Sequence, residues 1–355
     1  MPVTAGILGF AHGHVHAYCA RWQAQPELGV HVVAGWDHDP GRANSACQGL
    51  GIEAMASVDA LLSRRDIDAV VIAAETSLHS DLIEQAAQAQ MAIVLQKPMA
   101  LTLAQADRMV QAVRKAGVPF SLAWQMRVDP HNLQVKSLLA DGRFGRVYQL
   151  RRRHCLPTQR WPDFSQAWHV QPELNRDIFA DDAAHAIDFI YWLLGMPQSV
   201  VAEMGTLLNP AVPNDTGIVV FRYPDGAFAE VSCCFVAVAG ENVTEVICEN
   251  GSIIGNYGDV PSTNIPWPPG GIQLKWYLSG ADGWTISDLP NITQHGERIA
   301  GLAGPLAEFL QGKRPPIATA EQGRDVLRLV LACYESAQRG TRILLARKPE
   351  CESAD

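Results

Sequence analysis

Ala5-Gly6-Ile7-Leu8-Gly9-Phe10-Ala11-His12-Gly13-His14 sets a short apolar run directly before a glycine-containing turn, and Val15–Gln25 continues from it as an amphipathic stretch. A strand that feeds a helix through such a turn begins a βαβ unit. The pattern then repeats. Val30–Trp36, Ala69–Ala73, Met91–Leu95 and Pro119–Leu122 read as further strands, and Gly41–Leu50, Ser80–Gln90 and Leu103–Ala116 as the helices between them. Strands alternating with helical patterns make a parallel sheet covered on both faces.

The expectation for residues 1–124 is therefore an α/β Rossmann domain with a parallel, doubly wound sheet. Its first turn stands where a dinucleotide-binding Gly-x-Gly-x-x-Gly would stand, with two departures. Ala11 replaces the glycine that lets backbone approach a pyrophosphate, and His14 replaces the small residue that packs helix on strand. Asp37 closes the second strand about 20 residues further on, where a carboxylate accepts from adenosine ribose hydroxyls. A carboxylate there repels a 2′-phosphate, so NAD is expected over NADP, with Arg42 close enough in sequence to offset part of the charge.

After residue 124 the texture changes. A helix over Pro130–Ala140 leads through Asp141-Gly142 into an alternating run, Gly145–His154. A loop carrying Trp161 and Trp168 precedes a helix over Ala183–Leu194, and strands follow at Val200–Leu207, Thr216–Tyr223, Ala227–Val238 and Val243–Cys248. Turns at Pro224-Asp225-Gly226 and Glu249-Asn250-Gly251 join neighbours as hairpins. Residues 125–347 are thus expected to form an α+β domain for substrate binding and oligomerisation, with a largely antiparallel, open-faced sheet. Pro261–Gly271 reads as a loop, Arg298–Leu310 and Ala320–Gln338 as helices, and 348–355 as a frayed tail.

The balance of 37 acidic against 28 basic residues gives a net charge of -9, which disfavours a nucleic-acid role. No apolar run reaches membrane-spanning length, and Met1-Pro2-Val3-Thr4 offers no basic, apolar leader. The 8 cysteines form no Cys-x-x-Cys pair, so a cytoplasmic protein with reduced thiols is expected. His12, His14 and His16 alternate, but no cysteine or carboxylate completes a ligand set, and no metal is expected there. Convergence of His154, His169 and His185 with Asp181 on a divalent ion stays open as an alternative.

The run Asp68–His79, Asp-Ala-Val-Val-Ile-Ala-Ala-Glu-Thr-Ser-Leu-His, followed by Gln96-Lys97-Pro98-Met99, resembles the Gfo/Idh/MocA family of sugar and polyol dehydrogenases. So does Asp181-Asp182-Ala183-Ala184-His185-Ala186-Ile187-Asp188, which matches the family's Asp-x-Gly-x-His-x-x-Asp with alanine at the glycine position. The resemblance implies that Lys97, Asp181 and His185 are the catalytic group. It also implies a cofactor site built from Gly9, Phe10, Ala11, His12, Gly13, His14, Asp37, His38, Glu75, His79, Gln96 and Gln125. Gln96 stands where the family has Glu, and Gln125 where an Asn often precedes the paired Arg. Lys97, Arg127, His154, Trp168 and Asp182 are the expected substrate contacts.

The chemistry of those residue types agrees with the resemblance. Oxidising a carbinol needs a base for the hydroxyl proton, a cationic donor for the developing alkoxide, and a hydride acceptor at the same carbon. His185 suits the first role, Lys97 the second, and Asp181 the orientation of substrate or imidazole. Four residues apart on a helix, Asp181 and His185 would share one face. The expected partner is a small sugar- or polyol-like molecule, and the expected assembly a homodimer or homotetramer formed through the second sheet. Two other functions fit the same residues: glycoside cleavage by transient oxidation, and non-catalytic dinucleotide sensing.

Overall fold

The computed structural model describes residues 2–240, 242–256, 265 and 270–345. Most of the expected Pro261–Gly271 loop and all of the expected 348–355 tail lie outside the described residues.

The first sheet holds β1 (Val3–Leu8), β2 (Val30–Trp36), β3 (Glu53–Ala54), β4 (Ala69–Ile72), β5 (Ala92–Leu95) and β6 (Phe120–Leu122). Their order is β3-β2-β1-β4-β5-β6, and every pairing is parallel. All four residues of β4 are buried, as a central strand covered on both faces requires. Helices α1 (His14–Ala24), α2 (Pro40–Leu50), α3 (Val58–Leu62), α4 (His79–Gln88) and α5 (Leu103–Ala116) make the connections. Local sequence fixes their ends. Asp39 caps α2 ahead of Pro40, while Thr102 and Gln105 form a reciprocal capping box on α5, which ends at left-handed Gly117.

The strand order reverses between β1 and β4, the switch point where open α/β sheets bind ligands beyond their strand ends. Gly9 sits there with φ +89°, and a Cβ on it would lie 2.4 Å from the Cα of Ala74. No side chain fits at that crossing, so the glycine is required by the fold before any ligand is considered.

After α6 (Pro130–Ala140), the second sheet comprises β7 (Val147–Cys155), β8 (Ser199–Gly205), β9 (Thr216–Arg222), β10 (Phe228–Cys234), β11 (Val243–Cys248), β12 (Gly251–Asn256), β13 (Leu274–Leu278), β14 (Thr285–Ile286) and β15 (Ile343–Leu344). In the order β14-β13-β12-β11-β7-β10-β9-β8-β15, only β7 and β10 pair in parallel. Burial alternates along β9, β10 and β11, which marks one packed face and one open face. Helix α7 (Ala184–Leu194) covers the packed face.

Three expectations change. The single helix expected over Arg298–Leu310 is two, α8 (His295–Ala300) and α9 (Ala303–Leu310), interrupted at Gly301-Leu302. The helix expected from Ala183 is preceded by a π turn, Phe179–Ala183, before α7 begins. The last helix, α10 (Ala320–Arg339), does more than close its own domain. Its leading segment returns to the first sheet, where Leu122 N donates to Ala318 O at 2.9 Å and Ile317 N to Ser121 Oγ at 3.0 Å. These bonds tie β6 of the first sheet to the helix that packs on β8 of the second.

Candidate active site

A cleft of about 210 Å³ opens where the ends of β1, β5 and β7 meet the π turn ahead of α7. Lys97 follows β5, on the near side of a cis bond to Pro98. Its ammonium donates to Asp181 Oδ1 at 3.0 Å and to the Asp181 carbonyl at 3.4 Å, with both residues buried. An ammonium has three donors, so one remains for a ligand oxygen. Asp181 therefore holds the lysine, and the orienting contact to the imidazole expected of it belongs to other groups.

Those groups are Gln125 and Trp124. Gln125 Nε2 lies 3.3 Å from His185 Nε2, and the Trp124 ring meets the imidazole edge-on at 5.3 Å between centroids. Burial, and then the positive charge of Lys97, hold the His185 pKa well below 6.5. A neutral imidazole inside the cleft at pH 7 is the form that accepts a proton.

Asp182 lies between two imidazoles, with its Oδ1 3.5 Å from His154 Nε2 and 3.9 Å from His185 Nε2. Burial opposes its ionisation, yet Lys97 and the flanking histidines outweigh that penalty and hold its carboxyl below the usual range. Within this π turn the successive carboxylates of Asp181 and Asp182 go to different partners, the first to Lys97 and the second to the histidine pair.

His12, Gly13, His14, His169 and Arg298 also line the cleft. Among the described residues, His12 Nε2, Gln125 Oε1, His169 Nδ1 and His185 Nδ1 are buried without a hydrogen-bond partner. Buried polar atoms cost free energy unless paired, and hydroxyls of a bound molecule would pair them. Among the described residues, no group of three or more His, Cys, Asp or Glu is placed to hold a metal ion.

The dinucleotide end fits the group that the turn implies. The N-terminus of α1 carries no side-chain cap and no acidic residue in its first turn, and a Cβ built on Gly13 would meet nothing within 4 Å. That is an open, electropositive approach for a pyrophosphate. Asp37 is buried at the end of β2, where it accepts from Phe10 N at 2.7 Å and from Arg42 Nε and Nη2 at 2.8 Å each. Arg42 also reaches Glu75 at 2.8 Å, and His38 lies 3.4 Å from Asp37 and 3.5 Å from Glu75. The arginine is thus neutralised by two carboxylates, which makes it a poor partner for a 2′-phosphate and favours NAD.

Four expected contacts lie elsewhere. Arg127 pairs bidentately with buried Asp188 and also reaches Gln322, so its guanidinium is consumed away from the cleft. Trp168 donates to the Ala11 carbonyl at 3.0 Å and stacks on His169, fastening the loop over the glycine turn instead of lining the cleft. His79 is enclosed, with its ring nitrogens on the carbonyls of Ala74, Pro98 and Met99, which ties the loops after β4 and β5 together. Gln96 is fully buried and donates to the Tyr18 hydroxyl at 2.8 Å, so it supports the site from behind. Cleft residues not anticipated are Met126, Leu156, Phe164 and Arg298, while His169, weighed above as a metal ligand, and Trp161 also line it. Arg298 reaches the cleft from a helix far along the chain.

Residues 3–123 match the model of the oxidoreductase family with an NAD-binding Rossmann fold, and residues 132–254 match its Gfo/Idh/MocA C-terminal domain. The chain belongs to the Gfo/Idh/MocA oxidoreductase family. Similar proteins include D-apiose dehydrogenase of Paraburkholderia graminis, 31% identical over 64% of this chain and 58% of that one. Inositol 2-dehydrogenase of Rhizobium meliloti is 31% identical over 65% of this chain and 68% of its own length. The matched region thus spans little more than half of the first of these relatives. Among solved structures, levoglucosan dehydrogenase in complex with NADH and levoglucosan superposes with a TM-score of 0.84 at 19% identity, covering 98% of this chain and 100% of that one. The WlbA dehydrogenase of Bordetella pertussis, in complex with NADH and UDP-GlcNAcA, gives 0.78 at 24% identity, with 98% and 100% covered. At these identities, the two structures speak for the fold.

Proposed function

We propose that this protein is an NAD-dependent dehydrogenase that interconverts a hydroxyl and a carbonyl on a sugar, polyol or related small molecule. The observation that carries the reading is the buried Lys97–Asp181 pair, which leaves one ammonium donor, in the same cleft as a neutral His185. The dehydrogenase names of the relatives at 31% identity support it. Residues 1–124 would bind the dinucleotide and 125–347 the substrate.

NAD would lie along the α1 N-terminus, with its ribose toward Asp37 and its nicotinamide toward His12, Gly13 and Lys97. When bound, it supplies the hydride acceptor for the carbinol carbon. Lys97 donates to the substrate oxygen and favours its ionised form. His185 takes the hydroxyl proton, and Gln125 and Trp124 hold its ring in the cleft. Asp182 stabilises the resulting imidazolium and, with His154, binds neighbouring hydroxyls.

The deciding experiment is calorimetric titration with NAD and NADP, followed by absorbance of reduced nicotinamide across a sugar and polyol panel. The expected result is tighter NAD than NADP binding and turnover of at least one member. NAD binding without turnover of any would remove the dehydrogenase reading and leave dinucleotide sensing.

No helix among the described residues is long and apolar enough to cross a membrane. The open face of the second sheet exposes Ile218 and Phe228 beside the Arg151 pairings with Glu230 and Glu245. Apolar surface rimmed by charge is a common subunit contact, so this reading includes a homodimer or homotetramer through that face. Light scattering that gives a monomer at working concentration would exclude it.

A further inference from the structure

A second cavity, of about 270 Å³, adjoins the catalytic cleft, and Trp161 and Phe164 line both. The shared wall is firmly held. Thr158 N and Oγ1 both donate to the Phe235 carbonyl, Gln159 Nε2 donates to the Val236 carbonyl at 3.0 Å, and Pro157 bridges to Val236. Trp161 then packs edge-on against Phe164 with centroids 5.1 Å apart, yet keeps 38% of its surface exposed. A large aromatic anchored at its base and left open on its face, where two cavities meet, is a surface suited to stacking.

The rest of the second cavity is polar. Asp163 supplies a carboxylate, Ser165 a hydroxyl, and Gln159 and Asn209 amides, all short of the catalytic group. Asp215 at its floor is already satisfied by Leu207 N, Leu208 N and Thr216 Oγ1, so it builds the wall and does not bind. An aromatic face surrounded by hydroxyl-seeking donors and acceptors recognises a ring that is apolar on its faces and hydroxylated at its edge.

We propose that this cavity is a subsite for the second ring of a glycoside, whose first ring is oxidised at Lys97. Such a ligand lies across Trp161, with one ring among the histidines and the other between Trp161 and Asp163. The inference rests on the sugar-dehydrogenase reading above and narrows its substrate class from single sugars to linked ones.

The test compares glucose and galactose with cellobiose, lactose and maltose, by initial rate with NAD and by calorimetric titration of the NADH-bound enzyme. At least one disaccharide is expected to exceed its monosaccharides by about tenfold in kcat/KM and in affinity. Two variants confined to the second cavity, Ser165→Tyr to fill it and Asp163→Asn to remove its charge, should abolish or reduce that preference. Monosaccharide binding and the thermal midpoint should stay at wild-type values. Equal affinity for one and two rings, equal losses for both in Ser165→Tyr, or binding of no disaccharide would each overturn the subsite. Absence of turnover with disaccharide preference intact in the titration would instead defeat the dehydrogenase reading and leave the subsite standing.

Discussion

Asp181 and Asp188 lie on the same helical run, each buried and each paired with a cation from another element, yet the two pairs are built for different work. Arg127 meets Asp188 at 2.7 and 3.0 Å in a fork, and its remaining nitrogen is taken by Gln322 Oε1 at 2.8 Å and the Ile317 carbonyl at 3.3 Å. Every guanidinium nitrogen is engaged, and the pair joins the segment after β6 to α7 and α10. Lys97 meets Asp181 through one carboxylate oxygen and one carbonyl, beside a cleft. The first pair has the geometry of a structural tie, and the second, with a donor to spare, is the one the proposed chemistry uses.

The largest effect that would break this contrast is on turnover. Lys97→Met should lower kcat by about 10²–10³-fold and also lower the thermal midpoint, because it strands buried Asp181, while His185→Ala should lower kcat by about 10²–10⁴-fold with NADH affinity little changed. Because the base form of His185 is required and its pKa is lowered, wild-type kcat/KM for oxidation should fall with acid only through a midpoint below 6.5. Turnover that survives either substitution would remove that residue from the chemistry.

Arg127→Leu should do the reverse. It strands the Asp188 carboxylate, whose pKa burial already raises, and should cost about 3–5 kcal/mol in denaturant unfolding. The folded fraction should keep its KM for substrate within a few-fold. A selective rise in KM without loss of stability would return Arg127 to the substrate site.

The contrast also marks what the sequence could reveal. The parallel sheet was readable because β1, β4 and β5 are short apolar runs buried on both faces, set between helices with local caps. Along β7, the alternating run separates Arg152 and His154, which are buried, from exposed Arg151 and Arg153. Strands β3, β14 and β15 have two residues each, too few for any periodicity to show. Lys97, Asp181 and His185 were legible through the resemblance, and their convergence on one cleft is a matter of tertiary structure. Arg127 was misread because its competitor, Asp188, is distant in sequence, and no pattern distinguishes a saturated arginine from a free one. The π turn has no sequence signature here, so helical spacing placed Asp181 and His185 in one cleft without revealing that Asp181 is held by Lys97.

A smaller effect sharpens the same contrast at the cofactor end. Asp37 is more heavily bonded than a ribose-binding carboxylate needs to be, through Phe10, Asp39 and Arg42. Asp37→Asn should weaken NAD about tenfold by calorimetry, the worth of one hydrogen bond to a charged group, while strengthening NADP, because the charge that repels its 2′-phosphate is gone. If both nucleotides weaken alike, Asp37 organises the turn and does not read the ribose.

The smallest expected effect concerns Gln96, behind the lysine. Its amide nitrogen donates to the Tyr18 hydroxyl at 2.8 Å, and its Oε1 is buried without a hydrogen-bond partner. Gln96→Glu lets Tyr18 donate instead, so the hydrogen bond survives with its direction reversed. What changes is charge: a carboxylate next to Lys97 offsets part of the field that keeps His185 neutral, and so stabilises the imidazolium. The acid midpoint of kcat/KM should therefore move upward, toward 6.5, while the rate on the alkaline plateau changes by less than about tenfold. An unmoved midpoint would mean that burial alone, the larger cause, sets the imidazole, and that the lysine acts on the substrate oxygen without tuning the base.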